Sequence, residues 1–202
     1  SILSKSDIHV SVVKGYLLPK TVDKNTLVIT TSVSGNTSET LVALDSAKKI
    51  DCELIAFSSG GKMEKVCKNN QITFKKIPLI HSPRTSLVNF TYSILNILNS
   101  VLPIGKTDII ESLNELDIMK NKICSHNLSD SNPAINLASW MSDIPIIYYP
   151  QGLQSTATRF KSSLQENAKT HVIIEDIIEA CHNGIVSWEK PSIVQPILLQ
   201  GK

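Results

Sequence analysis

Apolar and polar positions alternate along the chain in blocks that predict a repeating order of strand and helix. The short apolar runs, of which Leu27–Thr30 and Val172–Ile174 are clear examples, are rich in β-branched residues and continuously apolar, which is typical of strands covered on both faces. The runs predicted to be strands are His9–Val13, Leu27–Ser32, Glu53–Ser58, Thr73–Ile77, Ile144–Tyr149, His171–Glu175 and Val194–Leu199.

Longer segments with helical periodicity separate these strands. The predicted helices are Ser38–Lys49, Lys62–Lys68, Thr85–Val101 and Gln154–Lys169. The third has an apolar stripe at the 3.6-residue spacing of one helix face, formed by Leu87, Phe90, Ile94, Leu98 and Val101. Alternation of strands and helices with short connections predicts the α/β class, with parallel sheets flanked by helices on both faces.

The alternation pauses between Leu102 and Trp140, where the chain is predicted to be helical or loop-like. This pause predicts two α/β units. The first covers residues 1–105, a helical or loop-like linker covers residues 106–131, and the second unit covers residues 132–202.

Composition excludes several classes of protein. The chain has 202 residues, 42% of them hydrophobic and 19% charged, which excludes an intrinsically disordered chain. Its 20 basic and 18 acidic residues leave a net charge of +2, so general binding to nucleic acid is not expected and any anion site must be local. No apolar run approaches the ~20 residues of a membrane-spanning helix, so no membrane partner is expected.

The cysteines do not form a recognisable metal or disulfide motif. Cys52, Cys67, Cys124 and Cys181 lack CxxC spacing, so neither a zinc site nor a disulfide framework is predicted. Isolated cysteines fit a reducing environment, and a cytoplasmic location is expected.

The segment LVITTSVSGNTSET, from Leu27 to Thr40, has the most distinctive chemistry. Gly35 permits a sharp turn and the close approach of a ligand to the backbone. Asn36, with Glu39 three residues later, predicts a capping box at the start of the following helix.

Three hydroxyls surround that predicted helix start. Ser32, Ser34 and Thr37 would stand beside the free N–H groups of a helix N-terminus, a position that favours an anion. Because the turn contains no lysine, a phosphomonoester fits it better than a nucleoside triphosphate. An ordinary capped turn rich in serine and threonine remains the alternative interpretation of the same residues.

The same turn carries a family resemblance. SVSGNTSET resembles the SxSGxTxET signature of SIS (sugar isomerase) domains, which bind phosphosugars. The further segments HSPRTSL, RFKSSLQENAKTHV and ACHNGIVSWEK follow in an order similar to that of the bifunctional phosphoglucose/phosphomannose isomerases. The resemblance spans essentially the whole chain and implies two SIS-type sheets of the flavodoxin or Rossmann-like kind. It also implies phosphate binding by Ser32, Ser34, Gly35, Asn36 and Thr37.

The resemblance implies that Glu166 is the base of an aldose–ketose isomerisation. Considered from the sequence alone, a glutamate at this position is more often a solvated helix residue, paired with Lys161 or Lys169. In relatives the glutamate of this segment moves the proton between the C1 and C2 carbons of the opened sugar.

Two further residues acquire roles in the same way. His182 would otherwise be a C-cap or surface residue, and the resemblance implies that it helps to open the sugar ring from the other subunit of a homodimer. Arg84 would otherwise pair with a carboxylate or face solvent, and the resemblance implies that it stabilises the negative charge of the enediolate.

The chain departs from the family pattern at both ends. Relatives carry a GxGGS strand and turn ahead of the position matching Ser1, and they continue past the position matching Lys202. Both SIS units are therefore expected to be incomplete, the first without its N-terminal strand, turn and helix and the second without its C-terminal elements. Poor or absent activity of this chain is the corresponding expectation.

The function implied is the interconversion of glucose 6-phosphate, and of mannose 6-phosphate, with fructose 6-phosphate through a cis-enediol(ate), without a metal or another cofactor. The alternatives are a non-catalytic phosphosugar-binding SIS module and an inactive fragment of the isomerase. A third, an amidotransferase-type SIS domain, would need a nucleophilic N-terminal cysteine that none of the four cysteines provides. The preference between glucose and mannose epimers does not follow from the sequence.

Overall fold

The protein contains two α/β units, each built on its own parallel sheet. The structure, a computed structural model, describes residues 6–201. One unit is Ser6–Pro103, and the second begins at Ile104. No helix in residues 6–201 has both the length and the apolar character needed to cross a membrane.

The first unit has a three-stranded sheet in the order β1-β2-β3. Its elements are β1 (Leu27–Ser32), α1 (Ser38–Lys48), β2 (Glu53–Ser58), α2 (Gly61–Asn69), β3 (Thr73–Lys76), a 3-10 helix (Pro83–Thr85) and α3 (Leu87–Ile97). All three strands are parallel, with Ser32 at the end of β1 opposite Ser58 at the end of β2. The turns that leave β1 and β2 therefore lie side by side at one edge of the sheet.

Alternate residues of β2 fill the two sides of this first sheet. Ala56 packs with Leu44 of α1 and Met63 of α2, all three being fully buried. The next residue, Phe57, is also fully buried and packs with Phe90 of α3 on the other side. A strand that is apolar at consecutive positions is thus covered by helices on both faces.

The second unit has a three-stranded parallel sheet in the order β5-β4-β6. Its elements are α4 (Lys106–Ile123), α5 (Pro133–Trp140), β4 (Ile144–Tyr149), α6 (Gln154–Asn167), β5 (Ile173–Asp176), α7 (Ile177–His182), a 3-10 helix (Gly184–Glu189) and β6 (Val194–Leu198). The central strand β4 is the most deeply buried of the three.

Helices α6 and α7 cover opposite faces of this second sheet. Ile147 of β4 packs with Ala157 of α6 in one cluster of buried residues. Ile146 and Tyr148 pack with Ala180 of α7 in another cluster. Because successive side chains of a strand point to opposite faces, the two clusters lie on the two sides of β4.

The structure confirms the predicted α/β class, with two parallel sheets flanked by helices. Six of the predicted strands are present, with ends that shift by at most two residues, but the prediction of a strand at His9–Val13 was wrong. Val10 and Val12 are exposed, at 47% and 80%, so that segment lacks the covered face that an isolated strand needs for stability. The third predicted helix is shorter than expected at both ends: α3 begins at Leu87, after the 3-10 helix at Pro83–Thr85, and it ends at Ile97 instead of Val101.

Candidate functional site

The turn between β1 and α1 is held by bonds among its own hydroxyls. The Ser32 hydroxyl accepts a hydrogen bond from the Gly35 N–H at 3.0 Å and lies 2.8 Å from the Thr37 hydroxyl. The Ser34 hydroxyl accepts from the Asn36 N–H at 3.2 Å. Ser32 is buried, whereas Ser34 and Thr37 are exposed at the mouth of the turn.

The predicted capping box at Asn36 was wrong. The N-cap residue of α1 is Thr37, and its side chain makes no capping hydrogen bond. The Asn36 side chain turns instead to the neighbouring helix, where its Oδ1 accepts from the Lys62 N–H at 3.1 Å. The Asn36–Glu39 pattern is typical of a cap within one helix, but here the Asn36 side chain binds an N–H group in the first turn of α2.

The N-termini of α1 and α2 consequently differ. Two early N–H groups of α2 are bound by the first turn: that of Lys62 by Asn36, and that of Met63 by the Gly35 carbonyl at 2.9 Å. By contrast, the side chain of Thr37, the N-cap residue of α1, makes no capping hydrogen bond to the first turn of α1. Because the first N–H groups of a helix have no partner within it, the α1 terminus offers them to an anion.

Glycines allow the two turns to touch. Gly35 has φ +67°, and a Cβ there would overlap the Gly60 carbonyl oxygen and lie 2.6 Å from the Ser58 hydroxyl. Gly61 has φ +70°, and its Cβ would overlap the Ser34 carbonyl oxygen. The turn needs glycine at position 35, as predicted, but the group that approaches its backbone closely is the neighbouring turn.

The donors at the mouth of the turn suit a phosphate. A hydroxyl has one hydrogen, so Ser34, which accepts from Asn36, keeps its own for an acceptor. The Ser32–Thr37 pair shares one hydrogen and keeps a second. With the first N–H groups of α1, these neutral donors can surround a phosphoryl group at a helix N-terminus.

Arg84 follows β3 in the first unit. It is exposed and belongs to the 3-10 helix Pro83–Thr85. The ends of β1 and β3 are separated by two strand spacings, roughly 10 Å. In parallel sheets ligands bind beyond the carboxyl ends of the strands, the edge at which the turn after β1 lies.

Glu166 lies in the last turn of α6 and is exposed. Its backbone carbonyl accepts a hydrogen bond from the Lys169 ammonium at 2.6 Å. Lys169 therefore satisfies a carbonyl at the C-terminal end of α6, where a positive charge is also favoured by the helix dipole.

His182 is the last residue of α7 and is also exposed. Gly184, just beyond it, leaves space for Glu175 at the end of β5: a Cβ on Gly184 would lie 3.2 Å from a Glu175 carboxylate oxygen. Since α6 and α7 cover opposite faces of the sheet, Glu166 and His182 of one chain lie on helices separated by β4.

The predicted site residues thus fall into separate groups. The five residues of the turn lie within positions 32–37, and Arg84 belongs to the same first unit. Glu166 and His182 lie in the second unit, where the sheet separates their helices.

The turn after β2 also belongs to this edge of the sheet, although it was not among the predicted site residues. Ser59 donates to the Val33 carbonyl both from its N–H, at 3.0 Å, and from its hydroxyl, at 2.6 Å. The signal was present: Ser58–Gly61 reads SSGG directly after a predicted strand, and consecutive parallel strands place such turns at one edge.

Comparison with known proteins supports the resemblance in the motifs. Residues 130–202 match the family model of the bacterial phospho-glucose isomerase C-terminal SIS domain. The chain is 32% identical over 198 residues to the bifunctional phosphoglucose/phosphomannose isomerase of Caldicellulosiruptor bescii, covering 94% of this chain and 57% of that protein. It is 30% identical over 195 residues to the enzyme of the same name from Pyrobaculum calidifontis, covering 96% of this chain and 58% of that protein.

A solved structure supports the fold. Glucosamine-6-phosphate deaminase from Thermotoga maritima matches with a TM-score of 0.60 at 15% identity, covering 90% of this chain and 54% of that one. The chain spans about half the length of the curated relatives it matches. Over most of its own length it is a relative of the bifunctional phosphoglucose/phosphomannose isomerases, with a bacterial phospho-glucose isomerase C-terminal SIS domain matched at residues 130–202.

Proposed function

We propose that the protein carrying this chain is an aldose–ketose isomerase. It interconverts glucose 6-phosphate, and mannose 6-phosphate, with fructose 6-phosphate through a cis-enediol(ate). The observation that carries the proposal is a contrast at the first sheet edge. There the residues of the first turn bind two early N–H groups of α2, whereas the N-cap side chain of α1, Thr37, makes no capping hydrogen bond. The relationship to the bifunctional isomerases supports the reaction class.

The phosphate of the substrate binds at the N-terminus of α1. Ser34 and the Ser32–Thr37 pair donate hydroxyl hydrogens, and the first N–H groups of α1 add backbone donors. This arrangement fixes one end of the sugar and leaves the C1–C2 bond to the catalytic groups.

Proton transfer at C1 and C2 is assigned to Glu166. In the ketose-to-aldose direction its carboxylate takes a proton from C1 to give an enediolate, and the C1 hydroxyl proton passes to the C2 oxygen. The carboxylic acid then returns a proton to C2, and exchange of that proton with solvent at the intermediate is detected in deuterated water. Arg84 stabilises the oxyanion that develops at this stage, since a guanidinium offers two parallel donors to adjacent oxygens. Both residues are exposed.

His182 is proposed to act from a second copy of the chain, where it assists ring opening. The placement of α6 and α7 on opposite faces of the second sheet supports this assignment, because one chain then holds Glu166 and His182 apart. A homodimer in which each copy supplies His182 to its partner resolves that separation.

The reaction is tested by exchange of the C1 hydrogen of fructose 6-phosphate in deuterated water. Glu166→Gln should lower the exchange rate by about 10²–10⁴-fold, with little change in phosphosugar affinity. Glu111→Gln, at an exposed glutamate of α4, is the matched control and should exchange at the wild-type rate. Phosphosugar binding without any exchange in the wild-type protein would favour a non-catalytic binding module or an inactive fragment instead.

The trans arrangement is tested by mixing two inactive variants. A hybrid dimer of Glu166→Gln and His182→Ala chains has one site with both groups intact, so a random mixture should recover about a quarter of wild-type turnover. If both groups acted within one chain, the mixture would stay inactive.

A further inference from the structure

We infer that Asn36 is a positioning residue of the phosphate site rather than a ligand, and that the turn after β2 forms the second half of that site. The inference rests on the proposed function of the turn after β1. It concerns how the donors of that turn are held, which neither the motif nor the relatives indicate.

The Asn36 side chain bonds to both turns. Its Oδ1 accepts from the Lys62 N–H in the first turn of α2, at 3.1 Å. Its Nδ2 donates to the Ser34 carbonyl at 3.2 Å, and its backbone N–H donates to the Ser34 hydroxyl at 3.2 Å. One side chain therefore links Ser34, a proposed phosphate donor, to the start of α2.

The residues on each side of Ser34 are fixed to the same neighbouring turn. The Val33 carbonyl accepts two hydrogen bonds from Ser59, at 3.0 and 2.6 Å. The Gly35 carbonyl accepts from the Met63 N–H at 2.9 Å. The backbone on both sides of Ser34 is thus held by bonds that cross from one turn to the other.

Gly61, in the turn after β2, packs directly against the Ser34 backbone. Its backbone lies so close to Ser34 that a Cβ would overlap the Ser34 carbonyl oxygen and lie 3.0 Å from the Asn36 Oδ1. Alanine at position 61 must therefore move Ser34, although the residue belongs to the turn after β2. A change outside the phosphate turn becomes a probe of its positioning.

A double-mutant cycle separates positioning from direct contact. The variants are Asn36→Ala, Gly61→Ala and the double variant, with Gly105→Ala in the second unit as the control glycine, where the nearest atom would be a tolerable 3.4 Å away. Binding of inorganic phosphate and of fructose 6-phosphate is measured by calorimetry. Each single variant should weaken both by about tenfold, and the double variant by little more, because both act through one link.

Several outcomes would overturn the inference. Additive losses of about 100-fold in the double variant would make Asn36 an independent ligand. If both single variants bound phosphate with wild-type affinity, the positioning role would be contradicted, but the proposed phosphate site would not. Failure of the wild-type chain to bind phosphate would overturn the proposed function and this inference together.

Two further measurements keep the test decisive if Gly61→Ala does not fold. Ser59→Ala removes only the 2.6 Å bond to the Val33 carbonyl and should weaken phosphate binding in the same direction. Hydrogen exchange at the Lys62 amide should quicken in Asn36→Ala, since its acceptor is lost. Unchanged exchange at Lys62 would contradict the link.

Discussion

Gly35→Ala should destabilise the first unit strongly, because alanine at this position adds both backbone strain and a steric overlap of its Cβ. Gly35 has φ +67°, a conformation in which an L residue is less stable than glycine by roughly 1–2 kcal/mol. The added Cβ would also overlap the Gly60 carbonyl oxygen, a backbone atom that cannot rotate aside, and lie 2.6 Å from the Ser58 hydroxyl.

The size of the loss follows from adding these costs. Forcing an extra methyl group into a packed site typically costs about 1–3 kcal/mol, so the two contributions sum to about 2–5 kcal/mol. This is a large part of the roughly 5–15 kcal/mol that stabilises a typical domain. Phosphate binding should weaken in addition, since the turn must shift to relieve the overlap.

Urea unfolding of Gly35→Ala beside Gly15→Ala isolates the steric part. Gly15, in the same unit, has φ +121° and nothing within 4 Å of its Cβ position, so alanine there meets backbone strain alone. Gly35→Ala should lose at least about 1 kcal/mol more of the free energy of unfolding than Gly15→Ala. Equal losses would refute the reasoning that contact between the turns requires glycine at position 35.

Three further changes test the cores and a buried thiol. Met63→Ala should lower the free energy of unfolding by about 2–5 kcal/mol, whereas Met119→Ala, at a residue 45% exposed, should lower it by less than about 1 kcal/mol in the same urea titration. Trp188→Phe removes the 3.1 Å hydrogen bond to the Tyr148 hydroxyl and should lower the free energy of unfolding by about 1 kcal/mol. An unchanged free energy of unfolding would contradict a stabilising role of that bond. Burial raises the pKa of the Cys67 thiol, so its contribution to stability is complete below the pKa of the unfolded thiol and is lost as pH rises through the folded value. The free energy of unfolding should therefore fall on the alkaline side, and less steeply in Cys67→Ala.

The fold was predictable wherever a strand has two covered faces. Continuous apolar runs such as Ile144–Tyr149 identified strands with few errors in their ends, because burial on both faces leaves no polar alternation to misread. The run at His9–Val13 has the same local character but is not covered, and its side chains are exposed. Local pattern reports what a segment could bury, and the tertiary structure decides whether it is buried.

The candidate site was predictable in its residues but not in its contacts. The hydroxyls, the glycine and the helix start of the first turn follow from local sequence. The partner of Asn36 does not, since Lys62 lies in the first turn of a different helix, α2, and becomes a neighbour only when β1 and β2 pair in register. A capping pattern in the sequence concerns one helix, whereas in the folded chain the Asn36 side chain caps the N-terminus of the neighbouring helix α2.

The relation between Glu166 and His182 shows why sequence proximity is a poor guide to a shared site. The two residues lie in neighbouring helices of the chain, separated by the single strand β5. That strand lies on one side of β4 and the next strand, β6, on the other, and α6 and α7 pack on opposite faces. Under the proposed function each copy of a homodimer supplies His182 to its partner, and the packing of α6 and α7 on opposite faces supports that assignment.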